Sequence, residues 1–385
     1  MRSPALLLAL LLGAAAPSRA AETPGITAAP VLQIPLGARA VGMGGAFTAV
    51  ASDAAALYYN PAGLSRLNAQ EVGLSFISGL SDNNLQQFAY GGPLPLPGLT
   101  GNGYVSAGAS LLVSQDGRIE VNKTNPDGSF RSSENLSAGS DYVASLGYSE
   151  RLAATPVETP QGAYGLNHFV GVSGKFVRST LAQQYSADAF AADVGYLLSS
   201  PEAGLSLGMS ALNLGGRLKY VDVADPLPTT LRGGLAWQMG PSAGGLLVAG
   251  DGEWLTHEKQ WRANAGLEYF WLKTCGLRLG YQFHQDSGAL TVGLGLRWKS
   301  QILIDYAWAM SQTLNDSHRV TLTWRFDPVA PGSRGVGHPF IETGPDREQL
   351  RGINEQRPEI EPPLPPERPF RRSPQPQEGV PGWVY

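Results

Sequence analysis

From about residue 72 to residue 326 the chain alternates between apolar and polar residues with a period of two. In ALTVGLGLRWK, Leu290, Val292, Leu294, Leu296 and Trp298 alternate with Thr291, Gly293, Gly295, Arg297 and Lys299. Successive residues of a strand point to opposite faces, so this stretch has one apolar face and one small or polar face. Neighbouring stretches repeat the pattern. Leu277, Leu279, Tyr281 and Phe283 alternate with Arg278, Gly280, Gln282 and His284, and Val320, Leu322, Trp324 and Phe326 with Arg319, Thr321, Thr323 and Arg325. The pattern predicts fourteen strands, beginning near Val72, Leu85, Gly103, Asp141, Asn167, Ala187, Gly204, Thr229, Leu246, Lys259, Thr274, Ala289, Gln301 and His318.

Any antiparallel sheet with one wet face alternates in this way. Three features favour a membrane barrel. The segments run about ten residues, the span of a tilted transmembrane strand. Trp237, Trp254, Trp261, Trp271, Trp298 and Trp324 fall near segment ends, where aromatic girdles meet the two interfaces. The second face carries Gly, Ser, Thr and charges, as a lumen does. The expected fold is therefore all-β, an antiparallel transmembrane β-barrel of about 14 strands, with outer-membrane lipid around it. An even count puts both ends on one side, expected to be the periplasm. Long connections at 115–140 and 215–228 then face outward, and 151–166 is a long inward exception.

Composition narrows the class. Only 16% of the 385 residues are charged, and 48 are glycine. A net charge of −4 offers no basic excess for nucleic acid. The single Cys275 excludes an intrachain disulfide and a cysteine-built metal site. Five histidines lack ligand spacing and the acidic residues lack an EF-hand pattern, so neither metal nor cofactor is expected. Arg2, the apolar run 6–16 and Ser18-Arg19-Ala20 read as a signal peptide over 1–20, too short to span a bilayer as a helix.

The stretch GARAVGMGGAFTAVASDAAALYYNPAGLSRL, residues 37–67, does not alternate. Its glycines do not make a dinucleotide fingerprint, because Phe47 stands where the third glycine belongs. Ser52 or Asp53 can cap a helix through Ala54 to Leu57, and Asn60-Pro61 should end it after about two turns. So short a helix needs external support, and the stretch has too few large apolar residues for a core of its own. It is expected to form a hatch inside the lumen (21–68), with a periplasmic cap as the alternative. Glycines permit close approach to a wall, and Arg39 and Asp53 can pair with lumen charges.

Residues 37–64 resemble the N-terminal signature of the PorV/PorQ-type outer-membrane proteins, a branch of the FadL-type barrels. Gly42-Met43-Gly44-Gly45 and Asn60-Pro61-Ala62-Gly63 carry the likeness. The resemblance implies a fourteen-stranded barrel with an N-terminal lumen hatch. It also implies one of two roles. The first is passive passage of fatty-acid-like hydrophobic molecules. The second is a secretion or surface-assembly partner that binds periplasmic or secretion-system proteins through its loops and tail. Candidate hatch and gating residues are Arg39, Gly42, Gly44, Gly45, Asp53, Tyr58, Tyr59, Asn60 and Pro61.

The polar phase of the strands places Arg232, Asp251, Glu253, Arg262, Glu268, Arg278, Arg297, Lys299, Asp305, Arg319 and Arg325 on the inner face. On the lipid face each would cost about 2–4 kcal/mol at mid-membrane. Ser206 lies in a GxSxG pattern, but within an alternating strand and without a following helix, so it reads as a lumen serine and not a nucleophile. No enzyme activity is expected. After Phe326 the alternation stops, and residues 327–385, with EIEPPLPPERPFRRSPQPQ, read as a Pro-rich disordered periplasmic tail.

Overall fold

The computed structural model describes residues 26–80, 83–100, 104–159, 162–240, 245–272, 274–283, 290–299, 301–311 and 315–326. The signal-peptide assignment, the tail, His284 and His338 lie outside the described residues.

Fourteen antiparallel strands close into one barrel. They are β1 (Gln70–Leu80), β2 (Asn83–Pro97), β3 (Tyr104–Gln115), β4 (Gly139–Thr159), β5 (Gly162–Leu181), β6 (Tyr185–Ser200) and β7 (Leu205–Gly215). They continue with β8 (Thr230–Met239), β9 (Leu246–Leu255), β10 (Gln260–Trp271), β11 (Cys275–Phe283), β12 (Leu290–Trp298), β13 (Ile302–Ala309) and β14 (Ser317–Phe326). Each pairs with its sequence neighbours, and β14 pairs with β1 in the register Gln70↔Phe326. The barrel therefore begins and ends at one rim, here the terminal rim. The opposite one is the far rim.

The phase of the alternation holds throughout. Leu277, Leu279, Leu294, Leu296, Val320 and Leu322 point outward and are exposed, while Glu268, Arg278, Asp305 and Arg319 point inward and are buried. Trp261 marks the outer face near the far rim, and Trp271, Trp298 and Trp324 mark it near the terminal rim. Only this phase puts charges where other polar groups can satisfy them.

Three local expectations give way. Residues 151–166 are not a long connection. Residues 151–159 and 162–166 are strand, because β4 and β5 stay paired out to Thr159↔Gly162. The far-rim connections after β3 and β7 are not plain loops but hold short hairpins, Arg118–Thr124 with Phe130–Ser137 and Arg217–Lys219 with Ala224–Pro226. Lys299 is not in the lumen. It follows the last residue of β12 in a turn, is exposed, and lies 5.9 Å from the Trp298 ring.

Residues 26–69 run through the barrel. Pro30–Gln33 form a short 3-10 turn, Ala38–Gly42 and Ala56–Tyr59 single α-helical turns, and Pro61–Arg66 a second 3-10 stretch. The helix at 56–59 is shorter and starts later than its sequence suggests. Ser52 does not cap it but accepts from Arg39 Nη1 at 3.1 Å, while Asp53 accepts from the Ala55 N–H at 3.0 Å. Asn60, extended at φ −162°, ends the turn and caps the next one by accepting from Ala62 N–H at 3.1 Å. The apolar residues of this stretch share a core with the wall, in a cluster that includes Ala236, Leu247 and Ala249 of β8 and β9. Met43, Phe47, Val50, Leu57, Tyr59 and Leu64 pack on one another in a single buried cluster. The remaining surprise is direction. Ala28 N–H donates to Pro226 O at 2.9 Å, so the described chain starts at the far rim and descends to Gln70 at the terminal rim. The barrel's own two ends share the terminal rim, as the even count predicts, while residue 26, where the described chain starts, stands at the far rim.

Candidate functional site

The site is the lumen and the segment that fills it. Every strand from β2 to β8, and β10 to β12, turns an inward glycine toward this segment. At Gly171 an added Cβ would fall on the peptide joining Pro61 to Ala62, at Gly208 on the Thr48 carbonyl, and at Gly280 on the Gly44 amide nitrogen. At Gly293 it would stand 2.9 Å from the Gly42 Cα. The wall thus has a girdle without side chains, and the segment's backbone lies in it. The segment's own glycines answer in kind. Gly44, at φ 68°, leaves a Cβ only 2.7 Å from Ala265 O, so it is fixed as glycine by both conformation and space. Gly45 has φ 83° but ordinary room.

Asn60 ties three elements together. Its side-chain amide donates to Thr48 O and to Tyr196 O on β6, both at 3.0 Å, and it is fully buried. Pro61 opens the 3-10 stretch where its missing N–H costs nothing. An Asn60→Ala variant strands two carbonyls and the Ala62 N–H. It should lose about 1–3 kcal/mol of stability, seen as a lower temperature of heat-modified migration on gels.

Charges hold the segment on the opposite side. Arg39 forms a two-pronged pair with Glu268, Nε to Oε2 at 2.9 Å and Nη2 to Oε1 at 2.8 Å. Asp53 lies 3.6 Å away from Arg39. Glu268 also accepts from Arg278 at 2.7 Å, and Arg278 donates to Asp305 at 2.6 Å. Farther round, Asp251 accepts from the Phe47 and Thr48 amides at 2.9 and 2.8 Å, and Arg232 meets Asp251 at 3.3 Å and Glu253 at 2.8 Å. The Arg232 guanidinium sits 4.9 Å from the Tyr59 ring centre. Arg297 lies over the Phe270 ring at 4.7 Å. Arg319 donates to Pro35 O at 3.3 Å and to Ser317. Arg262 stays near the far rim, 3.9 Å from Glu258. Arg325 meets Glu71, whose other oxygen accepts from the Ala54 amide.

Lys175 on β5 and Asp193 on β6 form a further buried pair at 2.9 Å, and toward the far rim lies an apolar layer that strand phase alone does not reveal. At the far-rim ends of β1 to β6 the inward residues include Ile77, Leu85, Leu112, Val143, Val177 and Ala189, interleaved with the polar Ser114, Asp141 and Ser179, all buried. Val31, Leu32 and Leu36 of the segment, with Leu218 and Leu227 of the connection after β7, occupy the space between them. The signal was present in the sequence, because these inward positions are apolar where some counterparts on β8–β14, such as Arg232, Glu253 and Arg319, are charged. Tyr58 and Tyr59 stand at the boundary and donate to Leu32 O at 3.1 Å and Leu36 O at 2.9 Å. Beside them a small cleft is lined by Tyr58, Arg232, Glu253, Arg262 and Asn264 among others. Ser206 faces inward and shares a hydrogen bond with Ser199 at 3.1 Å.

Comparisons place this architecture among known folds. A profile for an uncharacterised protein family, UPF0164, matches residues 12–110. No curated protein matches the chain. Among solved structures, the P. putida toluene transporter TodX is similar at 17% identity and a TM-score of 0.50, over 76% of this chain and 98% of that one. The CymD monoaromatic hydrocarbon channel is similar at 11% identity and 0.48, over 77% and 99%. A Pseudomonas aeruginosa FadL homologue follows at 10% and 0.39, over 75% and 96%. The secretion-partner alternative finds no support in these likenesses. At such identities they show that this chain shares the fold, a closed β-barrel like those of outer-membrane channels.

Proposed function

We propose that this chain is a passive conduit for hydrophobic small molecules across the bacterial outer membrane. The observation that carries the reading is the apolar layer of the lumen under the far rim, to which Ile77, Leu85, Leu112, Val143 and Val177 contribute. A pore for polar solutes presents a polar interior. Here a layer of the lumen under the far rim is apolar, and charges elsewhere in the lumen, such as Arg39, Lys175, Asp193, Arg232, Glu268 and Arg278, are paired with one another. The exposed apolar belt of the outer face, edged by tryptophans, supports a bilayer location. The shared fold with a protein described as a toluene transporter agrees with this cargo class. In this reading residues 26–69 act as the hatch, which closes the lumen to ions and polar solutes.

Uptake by cells checks the proposal. Cells carrying the protein should take up the apolar fluorophore N-phenyl-1-naphthylamine faster than cells without it. Proteoliposomes should show no swelling in sucrose. Unchanged fluorophore uptake, or brisk sucrose swelling, would contradict it.

A further inference from the structure

Arg39, Lys175, Arg232, Arg262, Arg278 and Arg325 each stand 3.9 Å or less from a carboxylate. Arg319, on β14, does not. Among the described residues no carboxylate pairs with it, yet it is only 4% exposed. Its neighbours across the sheet are Ile77 of β1 and Ala307 of β13, both apolar and buried. The bonds it makes go to neutral oxygens. Nη1 donates to Ser317 Oγ at 2.6 Å, and Nε donates to Pro35 O at 3.3 Å, which is long for such a bond. Nη2 donates to no group among the described residues. It is not sealed off either, since the fully enclosed side-chain atoms that lack a partner lie on other residues.

A guanidinium cannot relieve its burial by losing a proton, because it stays charged at any pH a protein meets. A charge taken out of water without a partner is strongly destabilising, and the low dielectric of an apolar surround enlarges the effect. Water at Nη2 would solvate the group but leave its charge unbalanced. The Nε–Nη2 edge is one of those on which a guanidinium grips an anion through two parallel bonds. In Arg319 one position of that edge is open and the other carries only the long bond to Pro35. We propose that Arg319 binds a small monovalent anion on this edge, chloride or a free carboxylate of the size of formate, and that this anion is its counter-charge. An ion that balances Arg319 is resident whether or not cargo passes, so the conduit reading is not needed for it.

The test uses the full chain in detergent micelles, unfolded by urea and followed by tryptophan fluorescence. The sodium salt is isethionate, whose anion is bulky, or chloride or formate at the same ionic strength. For a site half-filled near 1 mM, exchanging about 0.1 M isethionate for chloride should shift the parent's equilibrium toward the folded state by roughly a hundredfold. A larger shift with formate would mark a carboxylate as the preferred occupant, and a larger shift with chloride a halide. Arg319→Met removes the charge and keeps an apolar chain of similar reach, so the shift should vanish. Lys299→Met removes an exposed cation outside the lumen, and the shift should remain. Parent stability that is equal in all three anions overturns the proposal, as does a shift that survives Arg319→Met. Should Arg319→Met fail to fold, bromide soaked into crystals of the parent gives the answer. An anomalous peak within hydrogen-bonding reach of Nη2 supports the site, and peaks only elsewhere overturn it.

Discussion

Replacing Gly280 with valine should prevent the barrel from assembling around its inner segment. The new Cβ would fall on the Gly44 amide nitrogen, with Met43 on one side and Thr291 Oγ1 on the other. All three neighbours are fixed. Gly44 N–H donates to Thr291 Oγ1 at 3.0 Å and to Val41 O at 2.9 Å, and Met43 is fully buried. Overpacking that a core can absorb costs about 1–3 kcal/mol. Here the new atom meets the segment's backbone at Met43 and Gly44 and a hydroxyl bonded to that backbone, so the cost must exceed that range, and the segment or strand β11 has to move. The expected result is loss of the heat-modifiable, protease-resistant form. Gly233→Val on β8 is the control. Nothing lies within 4 Å of its added Cβ, and it should assemble normally.

Glu268→Leu should have the second largest effect. Its carboxylate is 3% exposed and takes two bonds from Arg39 and one from Arg278. Removing it leaves two buried guanidinium groups facing each other, with Asp53 and Asp305 to share between them. Breaking one partner out of a buried pair costs about 3–5 kcal/mol. Denaturant unfolding followed by tryptophan fluorescence should show a loss of that size. Replacing Arg39, Glu268 and Arg278 together by Met, Leu and Met should recover much of it, because an apolar set strands no charge. If the single change were neutral, the network would not be holding the segment.

Most of the fold was legible because strand phase is binary. A residue such as Arg278 or Asp305 has one tolerable side in a membrane barrel, and each fixes its strand's phase along with its neighbours'. The inner segment was legible in kind but not in detail. Asn60-Pro61 ends the helical turn as its chemistry requires, yet the turn begins at Ala56 because Arg39 takes Ser52 away as a cap. The core that the segment shares with the wall was not legible, because Met43, Phe47, Val50, Leu57 and Leu64 are too spread along the chain to show a period. The path is a loop around the lumen, not a helix or a strand. The glycine girdle shows the same limit. Gly171, Gly208 and Gly280 look like ordinary lumen-face glycines until the segment's backbone is placed against them. The reversed course of residues 26–36 has no local signal, since it is set by Glu258 and Pro226, more than 190 residues away.

The central claim is that an apolar molecule resides inside the barrel at the far rim. Photolabelling the reconstituted protein with 3-(trifluoromethyl)-3-phenyldiazirine, followed by peptide mass spectrometry, tests it most directly. The account expects saturable labelling at inward positions, Ile77, Leu85, Leu112, Val143 and Val177, that excess toluene removes. Labelling confined to outward residues such as Leu146, Phe190 and Leu294, unchanged by excess toluene, would contradict it.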